Sequence, residues 1–319
     1  MSEVRVAMPE TGKSKKSDEA GGQRCGFIAV LGAPNAGKST LVNAIVGAKV
    51  SIVSHKVQTT RVPIKGIALE GQSQLVFIDT PGIFNPKRRL DRAMVDAAWG
   101  GAEDADVVVL VIDAARGVDE DTARIIEKLK HARMTRVAVL NKVDRVEDKE
   151  KLLALTKHLD GLLRFDRVFM LSALKGSGVK DLRSFLGGAV PEGPWHYAED
   201  DVTDIPMRML AAEITREQIY QWLHQELPYA TTVETTSWQM LKDGSARVEQ
   251  TIFVERDSQK SIVLGKNGAT IKKLSTAARH GIAEMAEHPI HLFLFVKVRE
   301  NWGSDPERYR EMGLPFPKS

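Results

Sequence analysis

Short apolar runs alternate with helix-spaced apolar positions through the first 190 residues. An apolar run of strand length indicates a strand covered on both faces, and a 3.6-residue spacing indicates a helix with one buried face. The runs predict strands at 26–31, 62–69, 74–78, 106–113, 135–141 and 167–172. The helical spacing predicts helices at 40–46, 119–132, 146–159 and 179–187. This alternation favours an α/β fold with a doubly wound, mostly parallel sheet, in which 62–69 and 74–78 form an antiparallel edge hairpin.

The pattern changes after residue 190. Residues 191–206 mix prolines with acidic residues without a period, which predicts a linker between a first domain at 23–190 and a second at 207–319. The second domain is predicted to be α+β, with its elements in the order helix, strand, strand, helix, loop, helix, strand. Residues 1–22 are rich in Lys, Ser, Gly and Glu, and we predict that they form a disordered extension.

Length, charge and cysteine content restrict the possible function classes only slightly. A length of 319 residues suits two domains, and a net charge of +3 is too small for the average charge to indicate nucleic acid. The single cysteine, Cys25, excludes an internal disulfide and fits a reducing cytosol. No apolar run approaches the roughly 18 residues of a membrane span, so no transmembrane segment is predicted.

A phosphate-binding loop follows the first strand, where residues 32–39 read Gly-Ala-Pro-Asn-Ala-Gly-Lys-Ser. Such a turn directs backbone N–H groups and the positive end of a helix dipole at phosphate oxygens. Lys38 can reach the β- and γ-phosphates, and the Ser39 hydroxyl can ligate Mg²⁺. The loop therefore predicts a nucleoside triphosphate with Mg²⁺, held by Asn35, Ala36, Gly37, Lys38, Ser39 and Thr40.

Two further segments are predicted to face the γ-phosphate. Asp79-Thr80-Pro81-Gly82 ends a strand, so Asp79 can hold the Mg²⁺ shell while the Gly82 N–H approaches the phosphate. The polar segment 50–61, here called the switch segment, has no helical period; within it Thr60 is predicted to complete the metal shell, with Thr59 as the close alternative. The predicted metal ligands are thus Ser39, Thr60 and Asp79, and the predicted catalytic residues are Lys38, Thr60 and Gly82.

The base is specified by two later motifs at strand ends. In Asn141-Lys142-Val143-Asp144 the Asp144 carboxylate can accept hydrogen bonds from N1–H and the 2-amino group, which guanine has and adenine lacks. Ser172-Ala173-Leu174 is placed so that a backbone N–H can reach the guanine O6. The predicted nucleotide is therefore GTP, with Asn141, Lys142, Asp144, Ser172 and Ala173 completing the site.

A Gly-x-x-Gly loop occupies residues 265–268 of the second domain, between two predicted helices. Such a loop lets backbone pass close to a single-stranded sugar-phosphate chain, an arrangement typical of KH domains. Lysines would supply charge, and Ile262, Val263 and Ile271 would form an apolar floor for bases. The predicted RNA-binding residues are Ile262, Val263, Gly265, Lys266, Asn267, Gly268, Lys272 and Lys273.

Taken together, these motifs resemble the Era family, bacterial ribosome-assembly GTPases with a GTPase domain joined to a KH domain. The resemblance runs from about residue 24 to near the end and includes 58–61 (Gln-Thr-Thr-Arg), 79–82, 191–194, 227–229 and 262–268. It implies a P-loop GTPase followed by a type II KH domain that binds single-stranded 16S rRNA near its 3′ end. It also implies that the GTP state times small-subunit maturation in the cytoplasm. The extension is longer than the family leads us to expect, and a peripheral contact with the inner membrane stays open.

Two positions bear on turnover. Ile83 stands where Ras-like enzymes place the glutamine that orients water, so intrinsic hydrolysis is expected to be slow. Asn35 resembles the asparagine with which potassium-stimulated relatives hold K⁺ beside the phosphates, although a turn-forming role explains it equally well.

We also expect Phe293 and Phe295 to belong to a core strand. The alternative function is a GTP-gated module whose second domain contacts protein or membrane, with negligible turnover.

Overall fold

The computed structural model describes residues 22–54, 56, 59–86, 88–224 and 226–317. Gln58 and nearly all of the predicted extension therefore lie outside the described residues. Within the described part, the chain forms a six-stranded sheet followed by a three-stranded sheet. The predicted combination of a P-loop GTPase fold and a KH fold is confirmed.

The first sheet has the strand order β2-β3-β1-β4-β5-β6, in which β2 is antiparallel to β3 and the other neighbours are parallel. Its strands are β1 (Arg24–Leu31), β2 (Ile64–Glu70), β3 (Ser73–Asp79), β4 (Val107–Asp113), β5 (Thr135–Asn141) and β6 (Arg167–Met170). Its helices are α1 (Lys38–Val46), α2 (Arg89–Glu103), α3 (Glu120–Leu129), α4 (Glu150–Leu162) and α5 (Val179–Ala189). Apolar clusters cover both faces of this sheet, which explains why its strands are apolar throughout.

The sequence analysis did not predict α2. Its signal is present, because Leu90, Ala93, Met94 and Ala97 follow helical spacing, and Ala93 and Met94 are buried. These two residues pack against Tyr309 and Leu314 near the C-terminus. The helix thus joins the first domain to the last described segment of the chain.

The second sheet has the order β7-β8-β9, with β7 antiparallel and β9 parallel to β8. Its strands are β7 (Thr231–Met240), β8 (Ala246–Val254) and β9 (Ile290–Val298). The helices are α6 (Met207–Trp222), α7 (Asp257–Leu264), α8 (Ala269–Ala286) and the short α9 (Pro306–Glu311). This is the predicted order, with the Gly-x-x-Gly loop between α7 and α8.

One prediction about this sheet is wrong. Phe293 and Phe295 are not core residues, because 43% and 46% of their surfaces are exposed. In β9, Leu292, Leu294 and Val296 face the apolar clusters instead. Alternating apolar residues showed a strand but not which of its two faces is covered, since both sets of side chains are apolar.

The segment 190–206 has no helix or strand, yet it lies along the edge strand β2. The Ile67 N–H donates to the Val202 carbonyl at 2.9 Å, and the Thr203 hydroxyl donates to the Lys65 carbonyl at 2.7 Å. The connection therefore covers an otherwise open sheet edge on its way to the second domain.

Candidate nucleotide site and RNA-binding surface

The phosphate-binding loop connects β1 to α1 and closes around Lys38. This side chain is buried, and its Nζ donates to the carbonyls of Gly32 at 3.1 Å and Ala33 at 3.2 Å. Burial lowers the pKa of Lys38 to about 8, against the opposing attraction of Asp79. Gly37 has a φ of 98°, and a Cβ there would lie 2.3 Å from Asn141 Nδ2, so the loop leaves no room for a side chain at this position.

The predicted metal ligands come together beside this loop. Ser39 Oγ donates to Asp79 Oδ2 at 2.7 Å, Thr60 Oγ1 donates to the same oxygen at 3.3 Å, and the two hydroxyls are 3.0 Å apart. Asp79 Oδ1 is buried without a hydrogen-bond partner among the described residues. Burial raises the pKa of Asp79, while the hydrogen bond from Ser39 and the charge of Lys38 oppose the rise. A buried carboxylate with an unused oxygen and two hydroxyls forms a donor set of the hard-oxygen kind that fits Mg²⁺.

Thr59 and Gly82 border the same cavity as the Ser39 and Thr60 hydroxyls. The Thr59 hydroxyl donates to the Lys56 carbonyl at 2.9 Å, so it is directed away from Asp79. Gly82 approaches Pro34 of the phosphate loop so closely that a Cβ would lie 3.0 Å from the Pro34 Cα.

Asn141 links the parts of the base pocket. Its Nδ2 donates to the Ala36 carbonyl at 2.9 Å, and its Oδ1 accepts from the N–H groups of Lys142 at 2.8 Å and Ala173 at 3.0 Å. One buried amide therefore holds three backbone groups, one from each of three motifs. The Ala173 N–H is thus bonded to the Asn141 side chain.

The remaining base-pocket residues border a cavity next to Asn141. Asp144 is exposed at its edge, and a hydrogen bond from the Ser172 hydroxyl holds the pKa of the Asp144 carboxyl below its usual value. Lys142 adopts a left-handed conformation with φ 64°, and its Nζ pairs with Asp113 Oδ2 at 2.7 Å. Asp113 was not predicted from the sequence, and Leu174 was named only as part of the motif 172–174. Asp113 ends β4 and fixes Lys142, and Leu174 lines the cavity with 73% of its surface exposed.

Ile83 lies immediately after Gly82, but its side chain turns into the core. It is 5% exposed and packs in the cluster that contains Ala98 and Ala102 of α2. Its N–H donates to the Gly32 carbonyl at 3.2 Å. This side chain therefore has neither the chemistry nor the direction to orient a water molecule.

The Gly-x-x-Gly loop has the backbone that its glycines suggest. Gly265 and Gly268 have φ values of 72° and 75°, and a Cβ at Gly265 would lie 2.2 Å from the Thr270 hydroxyl. Asn267 also has a positive φ of 51°, a conformation that asparagine tolerates better than most residues. Around the loop, Lys266, Lys272 and Lys273 are exposed. The loop thus presents bare backbone between three cations.

The predicted apolar floor of this surface needs a correction. Val263 is fully buried in the cluster that contains Ile219, Ile252 and Leu274, so it is a core residue and cannot touch a base. Ile262, its neighbour on α7, is 56% exposed and stays available. Trp222, which the sequence analysis passed over, is 48% exposed at the end of α6, with Lys273 Nζ 5.8 Å from its ring centroid.

Known protein families match the two domains separately. A family model described as 50S ribosome-binding GTPase matches residues 27–142, and a KH domain model matches residues 226–303. The GTPase Era of Brucella suis is 62% identical over 299 residues, which are 94% of this chain and 96% of that protein. This chain belongs to the Era family of GTPases. The family assignment and the GTPase activity predicted from the motifs are therefore confirmed.

Other Era proteins agree over both domains. That of Rhizobium meliloti is 62% identical over 295 residues, covering 92% of this chain and 94% of the relative. A crystal structure of Era with MgGDPNP and nucleotides 1506–1542 of 16S ribosomal RNA superposes with a TM-score of 0.87 at 33% identity. A variant of Aquifex aeolicus Era bound to GDP·AlF4⁻ gives the same score and identity, and both matches cover 91% of this chain and 99% of the other. The Era architecture thus extends through the KH domain.

Proposed function

We propose that this Era-family GTPase binds the 3′-terminal single-stranded segment of 16S rRNA, and that GTP binding and hydrolysis time its action in small-subunit maturation. The observation that carries the proposal is the open Gly-x-x-Gly loop flanked by Lys266, Lys272 and Lys273. Unpaired RNA can pass such a loop closely, whereas a side chain at Gly265 would clash with Thr270. The Era protein solved with a 16S segment shares this architecture.

We propose the small ribosomal subunit as the partner, and not the large subunit, because of which part of the chain each comparison covers. The GTPase-domain model carries a description that names the 50S subunit, but it covers only residues 27–142. The Era structure with 16S RNA matches 91% of the chain, including the KH domain. Because RNA contact is proposed for the KH domain, the match that includes this domain is the more informative one.

For the nucleotide, we propose that Ser39, Thr60 and Asp79 hold Mg²⁺ while Lys38 and the loop N–H groups bind the β- and γ-phosphates. The metal would neutralise charge that develops on the transferred phosphoryl group. Asp144 would pair with the guanine edge, and Asn141 would hold the phosphate and base motifs in register. Gly82 would approach the γ-phosphate through its N–H. With Ile83 buried, no side chain at that position orients water, so slow intrinsic hydrolysis is part of the proposal.

K⁺ is proposed as a further cofactor. Asn35 lines the phosphate cavity with a positive φ of 64°, and its carbonyl accepts from Lys142 Nζ. A cation there would supply positive charge near the β- and γ-phosphates, where a water-orienting glutamine is lacking. We expect K⁺ to raise the hydrolysis rate over Na⁺ at equal ionic strength, and Asn35→Ala to abolish the difference. Equal rates in the two salts would leave Asn35 a turn residue.

The RNA proposal is tested with two labelled oligoribonucleotides of equal length, one from the 3′ end of 16S rRNA and one from 23S rRNA. We expect the chain, loaded with a non-hydrolysable GTP analogue, to bind the 16S segment more tightly, and small subunits to accelerate phosphate release more than large subunits. Equal binding of both segments, together with equal acceleration by both subunits, would contradict the proposal.

A peripheral membrane contact stays a prediction. None of the helices in the described part of the chain combines the length and apolar character of a membrane span. Co-sedimentation with vesicles that contain anionic lipid would test the contact, and the loss of sedimentation in a chain lacking residues 1–22 would assign it to the extension.

A further inference from the structure

The switch segment is held by the KH domain. From α6, Arg216 Nη2 donates to the Thr59 carbonyl at 2.5 Å. The next residue, Glu217, accepts from the Val53 N–H at 3.0 Å and pairs with Lys49 at 2.5 Å. The side chains of Arg216 and Glu217 are only 2% and 4% exposed, so both are interior groups of α6, whereas Lys49 is 50% exposed.

Arg216 is fixed before it reaches the switch segment. Its Nε donates to Glu213 Oε1 at 2.9 Å, and Nη2 pairs with the other oxygen of the same carboxylate. Its guanidinium carbon lies 5.4 Å from the centroid of the Tyr220 ring. A guanidinium held on one side by a carboxylate and on its face by an aromatic ring offers its remaining N–H groups in a fixed direction.

The residue after Thr59 is the proposed metal ligand. Thr60 Oγ1 lies 3.0 Å from Ser39 Oγ and 3.3 Å from Asp79 Oδ2. The position of Thr60 depends on the backbone of Thr59. The Thr59 side chain is bonded within the switch segment, where its hydroxyl donates to the Lys56 carbonyl. The Thr59 carbonyl held by Arg216 is part of the peptide group that leads directly into Thr60.

We propose that Arg216 is a positioning residue of the GTPase reaction. By holding the Thr59 carbonyl, it places the Thr60 hydroxyl where the Mg²⁺ shell needs it, although it touches neither nucleotide nor metal. The inference rests on the proposed role of Thr60. A domain that carries no nucleotide motif thus supplies a group on which hydrolysis depends.

The expected signature is specific to the triphosphate. Thr60 is needed only when a γ-phosphate is present. The loss of Arg216 should therefore weaken Mg²⁺-dependent hydrolysis of GTP without changing the affinity for GDP. Hydrogen bonds from charged donors to buried acceptors are strong enough that removing one changes an equilibrium by about ten- to a hundredfold. We expect Arg216→Ala to raise the Mg²⁺ concentration for half-maximal GTP hydrolysis by about tenfold, with an unchanged affinity for GDP.

The experiment compares Arg216→Ala, Arg216→Lys and Arg208→Ala in the full-length chain. Arg216→Lys keeps the charge but cannot bridge Glu213 and Thr59 in the same way, so its Mg²⁺ requirement should fall between wild type and Arg216→Ala. Arg208 is the matched control, because it lies on α6 and donates to carbonyls of Thr235 and Thr236, in the KH sheet. Its removal should leave the Mg²⁺ requirement unchanged.

Thr60→Ala in the same assay distinguishes the proposed ligand role of Thr60 from the proposed positioning role of Arg216. If Thr60→Ala leaves the Mg²⁺ requirement unchanged, the proposed ligand role fails, and the inference about Arg216 fails with it. If Thr60→Ala raises the requirement and neither Arg216 variant does, only the positioning role is overturned. An equal loss of GTP and GDP affinity in Arg216→Lys would also overturn it, because that result indicates general damage to the site.

Discussion

The nucleotide site and the Gly-x-x-Gly loop at 265–268, here called the RNA loop, differ in how they present groups that can bind phosphate. At the nucleotide site, Lys38, Asp79 and Asn141 are buried; Lys38 donates within its own loop, and Asp79 and Asn141 are bonded to groups of that loop and its helix. At the RNA loop, Lys266 and Asn267 are exposed and the glycines keep the backbone bare. The first arrangement suits a small ligand of fixed shape, and the second suits a long, variable chain.

This difference has an energetic consequence. In a buried network, removing one group leaves others without partners, so a single change has a large effect. On an exposed surface, each contact is screened by water and salt, so effects are smaller and depend on ionic strength. The largest expected effect is at Asp144, which is exposed at the edge of the base pocket, so that effect is expected from its complementary hydrogen bonds to the base rather than from burial.

Asp144→Asn should change the base preference. An amide can donate to the 2-oxo group of xanthine, whereas the carboxylate accepts from the 2-amino group of guanine. We expect the affinity for GTP to fall by about a hundredfold or more and xanthosine triphosphate to become the preferred nucleotide. Competition binding measures this, with Asp160→Asn on the exposed side of α4 as the matched control. A variant that still prefers GTP would refute the assignment of Asp144.

The double change Lys266→Asp with Asn267→Asp should weaken RNA binding by about tenfold or more, because two acids repel a backbone that must pass closely. Each lost phosphate contact should also flatten the log-log salt dependence by about 0.7 for a single strand. Filter binding across a salt series measures both quantities. Lys157→Asp, an exposed lysine of α4, is the control. Unchanged affinity and slope in a folded variant would mean that RNA is not bound through this loop.

The smallest effects concern two neighbours on α7. Val263 is buried and Ile262 is 56% exposed, so the same truncation should act on different properties. Val263→Ala should lower the free energy of unfolding by about 2 kcal/mol. Ile262→Ala should change stability by less than about 0.5 kcal/mol, while lowering RNA affinity about threefold through the loss of apolar contact with bases. Chemical denaturation and filter binding measure the pair, and the reverse assignment of effects would restore Val263 to the RNA surface.

The contrast also explains how much the sequence could predict. The nucleotide motifs could be predicted residue by residue because each requires a particular side chain or glycine in the segment that follows a strand, as for Ser39 at the start of α1, Asp79 and Asp144. Asp113 was missed because its contact with Lys142 depends on which loops the fold brings together. The contact between Arg216 and Thr59 could not be predicted for the same reason, since the two residues are 157 positions apart in the chain.

At the KH domain, the order of elements and the loop followed from local patterns, but the burial of single side chains did not. Val263 and Ile262 are adjacent apolar residues, and only the packing of α7 on α8 and the sheet decides which one is covered. Likewise, β9 has apolar residues on both faces, and the helices cover only one. Sequence periodicity indicates that a face exists, whereas the neighbouring elements determine what lies on it.

We infer that this chain carries two separable sites, a guanine-nucleotide site that hydrolyses GTP and an RNA-binding Gly-x-x-Gly loop in the KH domain. The most direct test measures nucleotide preference and affinity for the 3′ segment of 16S rRNA in the same preparations of two variants, Asp144→Asn and Lys266→Asp with Asn267→Asp. We predict that the first exchanges GTP for xanthosine triphosphate and, loaded with a xanthosine triphosphate analogue, binds RNA normally. The second should bind GTP normally and lose RNA affinity. If either variant loses both properties while folded, or keeps both, the claim of two separable sites is contradicted.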